Sequence, residues 1–283
     1  MAENKYLASS LSVRADQERL ALMEQTFDQT TIRHLEALGV ASGWICLEVG
    51  AGYGSITCWL ENRVGPKGKV VATDLRPELH RKVGNTVEIR KHDILKDDIE
   101  KDHYDLVHCR TLLQHLSSPE LALSHMAEAT KPGGWLMIEE LDNCMLPVSD
   151  YHSPSVDMIY KNIHNFLEVA RSKGTLDPEF GRRVRPLLEQ LQFEEIGNEG
   201  FTRILRGGEP WLKSQSLLMG VWRNLVSGES AEETKMRAFC DEAERLLDDP
   251  SFYCLMPAFF TAWGRKPLKW VAPEKQQVDD SRK

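Results

Sequence analysis

The chain has 283 residues, 41% of them hydrophobic and 28% charged, with a formal net charge of −8 and a pI near 5.7. That length supports one large α/β core with added helices, and the acidic balance argues against a general attraction to nucleic-acid phosphates while leaving room for a local basic patch. No run of about 18 apolar residues is present to cross a bilayer, and Met1 to Lys5 does not lead into the apolar segment of a secretion signal, so the expectation is a soluble, cytoplasmic chain with a small-molecule substrate and no nucleic-acid or membrane partner.

In chain order, apolar residues from Leu20 to Leu38 recur at helical spacing, with a possible break at Asp28 or Thr30, so one or two helices precede the first strand. The apolar run Trp44 to Val49 predicts a strand that ends in glycines, followed by a helix over Tyr53–Val64 and a turn at Gly65-Pro-Lys-Gly68. The rhythm repeats: strand Lys69–Thr73, short helix near Pro77–Val83, strands Thr86–Arg90 and Tyr104–Cys109, helix Pro119–Thr130, turn Lys131-Pro-Gly-Gly134, strand Trp135–Glu140. Strands apolar on both faces, alternating with helices, predict a mainly parallel sheet covered on each side. Beyond Asp142 the spacing predicts helices over Val156–Lys173, Pro178–Leu191, Glu209–Val226 and Ala231–Leu247, a strand-like stretch from Phe193 to Leu205, a last apolar run Phe252–Trp263 and a polar tail. Cys46, Cys58, Cys109, Cys144, Cys240 and Cys254 form no CxxC pair and read as reduced, mostly structural thiols.

The chemistry concentrates at Glu48-Val-Gly50-Ala51-Gly52-Tyr-Gly54-Ser55, between a strand and a helix, where glycines let the backbone turn sharply and leave space for a ligand. A dinucleotide loop of the GxGxxG type would place glycine or alanine at position 55, but Ser55 stands there; the spacing favours a nucleoside without a pyrophosphate. Glu48 fits the same choice, since a carboxylate beside the loop repels a pyrophosphate but tolerates sulfonium and ammonium groups. Asp74 ends the next strand, where a carboxylate can accept from both ribose hydroxyls. Asp93 follows the third strand and either accepts from an adenine amino group, with Ile94 against the ring, or caps a helix.

Together with Tyr104-Asp-Leu-Val-His-Cys-Arg110, Leu113-Gln-His-Leu116 and Lys131-Pro-Gly-Gly-Trp-Leu136, these motifs resemble the class I S-adenosylmethionine-dependent methyltransferases over about Leu38 to Glu140. Gly43-Trp-Ile-Cys-Leu-Glu-Val-Gly50, Glu139-Glu-Leu-Asp142 and Met256-Pro-Ala-Phe-Phe-Thr-Ala-Trp-Gly264 look similar to bacterial small-molecule methyltransferases, many of them in specialised metabolism. The resemblance implies a Rossmann-like seven-stranded, mainly parallel α/β sheet with helices on both faces and its last strand antiparallel, a monomer or homodimer, and S-adenosylmethionine as cofactor. Its cofactor residues would be Tyr6, Arg19, Glu48, Gly50, Ala51, Gly52, Gly54, Asp74, Leu75, His92, Asp93, Ile94 and Arg110. The domain reading is an N-terminal helical segment (1–40), a cofactor-binding core (41–145, continued at 177–206 and 251–270), helical lid insertions at 146–176 and 207–250, and a flexible tail (271–283).

Methyl transfer from a sulfonium needs alignment and exclusion of water more than a dedicated base. His115 follows the fourth strand and either takes a proton from a hydroxyl or amine acceptor or only packs there or contacts the cofactor. Glu139, Glu140 and Asp142 end the fifth strand and either hold an acceptor cation or a metal or act as a base, Glu139 being the second catalytic candidate, or are a solvated strand end. The HExxH spacing is absent, and no metal site is assigned. Tyr6, Arg19 and Gln25 belong to a segment that either folds over the cofactor or is a surface helix. Ile159, Tyr160, Ile163, Phe166, Trp211, Leu217, Leu218, Met219, Trp222 and Phe239 either line an apolar acceptor chamber or are plain core. Two alternatives share the loop: a protein that binds the cofactor without transferring methyl, and a nicotinamide-dependent oxidoreductase.

Overall fold

The computed structural model describes residues 11–143, 162–165, 167–168, 170–172, 174–225 and 230–273. A seven-stranded sheet runs β3 (Val87–Lys91), β2 (Lys69–Asp74), β1 (Ile45–Val49), β4 (Tyr104–Arg110), β5 (Thr130–Asp142), β9 (Ala258–Arg265), β6 (Glu194–Phe201). The first five pair in parallel and β9 is antiparallel to both its neighbours. Central parallel strands are covered on both faces, and Cys46, Leu47, Val70, Val71, Leu106 and Val107 are accordingly all buried.

Helix α1 (Val13–Ala37) is one element, without the expected break at Asp28 or Thr30. The hydroxyls of Thr26 and Thr31 donate to the Leu22 and Phe27 carbonyls within the helix, and the Asp28 carboxylate is drawn off by Ser55 and Arg110 instead of competing for the backbone. Helices α2 (Ser55–Val64) and α3 (Pro119–Ala129) follow the expected positions. The crossover from β2 to β3 carries only a 3-10 turn, Pro77–Leu79, in place of the expected helix, because Leu75 to Thr86 is near the lower limit for any parallel connection. Side chains of α1 close the gap: Gln17 Nε2 donates to Leu79 O at 3.1 Å, Asp16 pairs with Arg76 at 3.0 Å, and Glu24 pairs with Arg81. The expected turn at Lys131–Gly134 is the opening of β5; Tyr104 pairs with Thr130 but Leu106 with Trp135, so the extra residues bulge out.

The strand-like stretch after Phe193 divides. β6 stays in the sheet, while β7 (Ile204–Arg206) leaves it to pair with β8 (Tyr253–Leu255). This ribbon is the neck of a helical pair, α5 (Pro210–Leu225) and α6 (Ala231–Asp248), the latter opened by a Ser230–Glu233 capping box. At the neck a Cβ on Gly207 would lie 1.9 Å from Asp249 O. α5 packs on α1 through Phe27, whose ring stands edge-on to Trp211 at 5.3 Å and stacks on Phe259 of β9 at 4.4 Å. A 3-10 turn (Phe180–Arg183) and α4 (Val184–Gln190) cover the expected helix at Pro178–Leu191. Cys46, Cys109 and Cys240 are buried, and Cys58 and Cys254 partly so; all five are free thiols, and burial raises their pKa. Cys144 lies outside the described residues. No described helix is long and apolar enough to cross a membrane.

Candidate functional site

At the carboxyl edge of β1 the backbone turns through left-handed geometry three times, with φ of 73° at Gly50, 56° at Gly52 and 91° at Gly54. Gly50 N and Ala51 N donate to Thr73 O, at 2.8 and 3.0 Å, which pins the loop to β2. Asp74 ends β2 beside it, its two oxygens accepting from Gly52 N at 2.9 Å and Arg76 N at 2.8 Å. A carboxylate offers about four acceptor sites, so Asp74 retains capacity for ribose hydroxyls. The neighbouring Leu75 is 57% exposed, an apolar surface next to a carboxylate that suits a nucleoside base, whereas Ile94 is buried in the core cluster of the sheet. Helix α1 lies across this edge: Ser55 N donates to Glu24 at 3.0 Å and Ser55 Oγ to Asp28 at 2.9 Å. The serine that departs from the dinucleotide pattern is thus where α1 is fastened.

Other expected cofactor residues are engaged within the protein. Glu48 is buried and accepts from the Thr57 hydroxyl at 2.6 Å, with His108 at 4.0 Å; it faces the interior rather than the loop, and burial raises its carboxyl pKa. Asp93 accepts from Leu95 N at 3.0 Å and Lys96 Nζ at 2.7 Å, the local cap that was its alternative. His92 is buried, with Nε2 3.3 Å from Asp98 O. Arg110 donates to Asp28 at 2.9 Å and Thr31 at 3.0 Å, a brace between β4 and α1. Arg19 is buried and paired with Asp16 at 2.8 Å, and it reaches the cavity described below. Gln25 Nε2 donates to Ala21 O on the helix itself. Tyr6 lies outside the described residues.

The two catalytic candidates separate. Glu139 is fully buried, accepting from Thr31 Oγ1 at 2.6 Å and Thr261 Oγ1 at 2.9 Å, with His108 Nε2 3.3 Å away; burial alone would raise its pKa, but the imidazoles of His108 and His34 and the charge of Arg110 hold it down at about 2. It is not among the described residues lining the cavity. His115 is among them, on the 3-10 turn Leu113–His115 that follows β4. The chain enters that turn through Thr111, whose φ of 49° is unusual for a β-branched residue. Glu140, from the end of β5, meets the turn from below: Oε1 accepts from Leu112 N at 2.9 Å and Leu113 N at 2.6 Å, and complete burial pushes its carboxyl pKa up to about 8. His115 Nδ1 lies 3.3 Å from Thr175 O and Nε2 3.4 Å from Gln114 Nε2. Both contacts are satisfied when Nδ1–H donates to the carbonyl and the amide donates to Nε2. Burial lowers the imidazole pKa to about 4, so the ring is neutral at physiological pH.

The cavity holds about 230 Å³, an order of magnitude above the roughly 10–15 Å³ that one water requires on this measure. Its polar lining includes Arg19, Thr111, Gln114, His115, Asn143 and Thr175; its apolar lining includes Ile163, Trp211, Leu218, Met219, Trp222 and Phe239. Asn143 Nδ2 donates to Gln114 Oε1 at 3.3 Å. Among the described lining residues Arg19 is the one cation, its charge met by Asp16, and there is no carboxylate. Of the expected chamber residues, Leu217 does not line it, and Ile159, Tyr160 and the Phe166 side chain lie outside the described residues. Thr111, Gln114 and Asn143 were not singled out; Gln114 was legible only as the neighbour of His115 in its motif.

A family model described as a methyltransferase domain matches residues 20–175. Methyltransferase str2 of Strobilurus tenacellus is 26% identical over 144 residues, 50% of this chain and 50% of that protein. The ubiquinone/menaquinone biosynthesis C-methyltransferase UbiE of Pseudomonas putida is 30% identical over 115 residues, 38% of this chain and 45% of that protein. The chain therefore spans about half the length of the curated relatives it matches. The phosphoethanolamine N-methyltransferase 2 of Haemonchus contortus, solved with S-adenosyl-L-methionine, superposes with a TM-score of 0.54 at 14% identity, over 94% of this chain and 60% of that one; at that identity the likeness is one of fold. Because the methyltransferase model covers more than half of the 283 residues and includes the glycine loop, Asp74 and the His115 turn, the chain belongs to the class I S-adenosylmethionine-dependent methyltransferases.

Proposed function

We propose that this chain transfers the methyl group of S-adenosylmethionine to a small, uncharged, largely apolar molecule, in specialised metabolism, and not to a nucleic acid. The observation that carries the reading is the apolar chamber closed by α5 and α6 with one polar wall, Gln114, His115, Asn143 and Thr175, at the carboxyl edge of the sheet. Ligands of open α/β sheets bind at that edge. Bound there, the cofactor would supply an already activated methyl on a sulfonium.

The residues of the chain then divide the remaining work. The loop Gly50–Gly54 and Asp74 hold the nucleoside, with Leu75 against the base. Helices α5 and α6, acting as a lid, exclude water and set the acceptor's direction of approach. His115, neutral with Nδ1–H turned to Thr175, exchanges the Gln114 amide at Nε2 for the acceptor's O–H or N–H and receives its proton. Glu139 serves as a buried brace between β5, α1 and β9 and takes no part in the transfer.

The test is transfer of label from methyl-labelled S-adenosylmethionine into a panel of uncharged hydroxy- and amino-substituted aromatic compounds, with an RNA arm. Label in an uncharged compound, with turnover impaired in Trp222→Ala while S-adenosylhomocysteine binds within about twofold, supports the reading. Label in RNA, or binding without label in any product, overturns it.

A further inference from the structure

The turn that carries His115 also touches the cofactor loop, and one buried side chain sets its position. Leu112, Leu113, Gln114 and His115 leave β4 between the glycine loop and the chamber. On one side a Cβ on Gly50 would stand 3.1 Å from Leu112 Cδ1, so the Leu112 side chain presses on the loop. On the other, Gln114 and His115 line the cavity. The turn begins where β4 has ended, so its first backbone N–H groups have no strand partner and need an acceptor. Glu140 Oε1 is that acceptor for two consecutive N–H groups, those of Leu112 and Leu113. Asp177 N donates to Gln114 O at 2.7 Å and fastens the far end.

We propose that Glu140 is a positioning residue for this site: through the turn Leu112–His115 it holds Leu112 against the cofactor loop and His115 toward the acceptor, without touching either ligand. The assignment rests on the methyl-transfer reading only for the His115 half. Three features support it. Glu140 is fully buried, yet Oε2 has no partner, so the side chain is not retained for a paired charge. The protonated form predominates at neutral pH, leaving Oε1 as a carbonyl acceptor that a glutamine reproduces. The adjacent Glu139 faces the other side of the sheet into a separate network, as the two-residue alternation of a strand requires.

The experiment compares Glu140→Gln, Glu140→Asp and Glu140→Leu in the full chain, following S-adenosylhomocysteine affinity by calorimetry and label transfer at saturating cofactor. Glutamine keeps the acceptor in place and is expected to stay within about twofold of the parent in both. Aspartate, one methylene shorter, withdraws the acceptor while remaining a carboxylate; cofactor affinity falls roughly tenfold, and label transfer at saturation falls by at least as much. Leucine behaves like aspartate or fails to fold, and the aspartate variant keeps the test decisive. Aspartate equal to the parent in affinity, or glutamine as impaired as aspartate, overturns the proposal. If no acceptor is labelled even by the parent, the methyl-transfer reading falls while the affinity comparison still decides the role of Glu140.

Discussion

Protonating His115 should unfold the chain more readily, and the size of the effect follows from where the ring sits. Unfolded, an imidazole titrates near 6.5; folded, burial in the chamber wall lowers this to about 4. Between those values the unfolded chain binds a proton that the folded chain refuses, so stability is undiminished above pH 6.5 and falls as pH drops toward 4. The full gap corresponds to about 3 kcal/mol. Replacing His115 by Asn removes the titration while an amide N–H can still turn toward Thr175 O. Urea unfolding followed by tryptophan fluorescence at pH 7.5 and 4.5 should show the parent losing about 2–3 kcal/mol more than His115→Asn over the same interval. Other histidines contribute to both chains and cancel in the difference. Equal losses in the two chains, or an imidazole NMR titration with its midpoint at 6.5 or above, would refute both the burial argument and the neutral-base role.

Asp74→Ala strands Gly52 N and removes the expected ribose acceptor, so calorimetry with S-adenosylhomocysteine should show about 1–3 kcal/mol weaker binding; unchanged affinity would remove Asp74 from the site. Gly207→Ala sets a methyl 1.9 Å from the Asp249 carbonyl, a backbone atom with little room to yield, and should cost about 1–3 kcal/mol in denaturant unfolding; a neutral result would show that the neck of the α5–α6 pair is soft.

The glycine loop, the acid at the end of β2 and the parallel sheet were legible in the sequence, because each follows from local patterning: two-sided apolar runs, glycines between strand and helix, helical spacing; the antiparallel last strand was implied only by the family resemblance. The uninterrupted α1 was not, since Asp28 reads as a breaker until Arg110 and Ser55, far along the chain, occupy its carboxylate. Nor was the departure of β7 from the sheet, which depends on a partner strand nearly fifty residues on. The sharpest divide runs between adjacent carboxylates. Glu139 and Glu140 look equivalent in sequence, as two acids at a strand end. Only the tertiary structure separates them: strand alternation sends Glu139 toward Thr31 and Thr261 and Glu140 beneath the turn of His115. Local pattern determines which residues reach the carboxyl edge of the sheet; which of them meet a ligand and which meet one another is decided by side chains from distant elements, and no spacing along the chain encodes that.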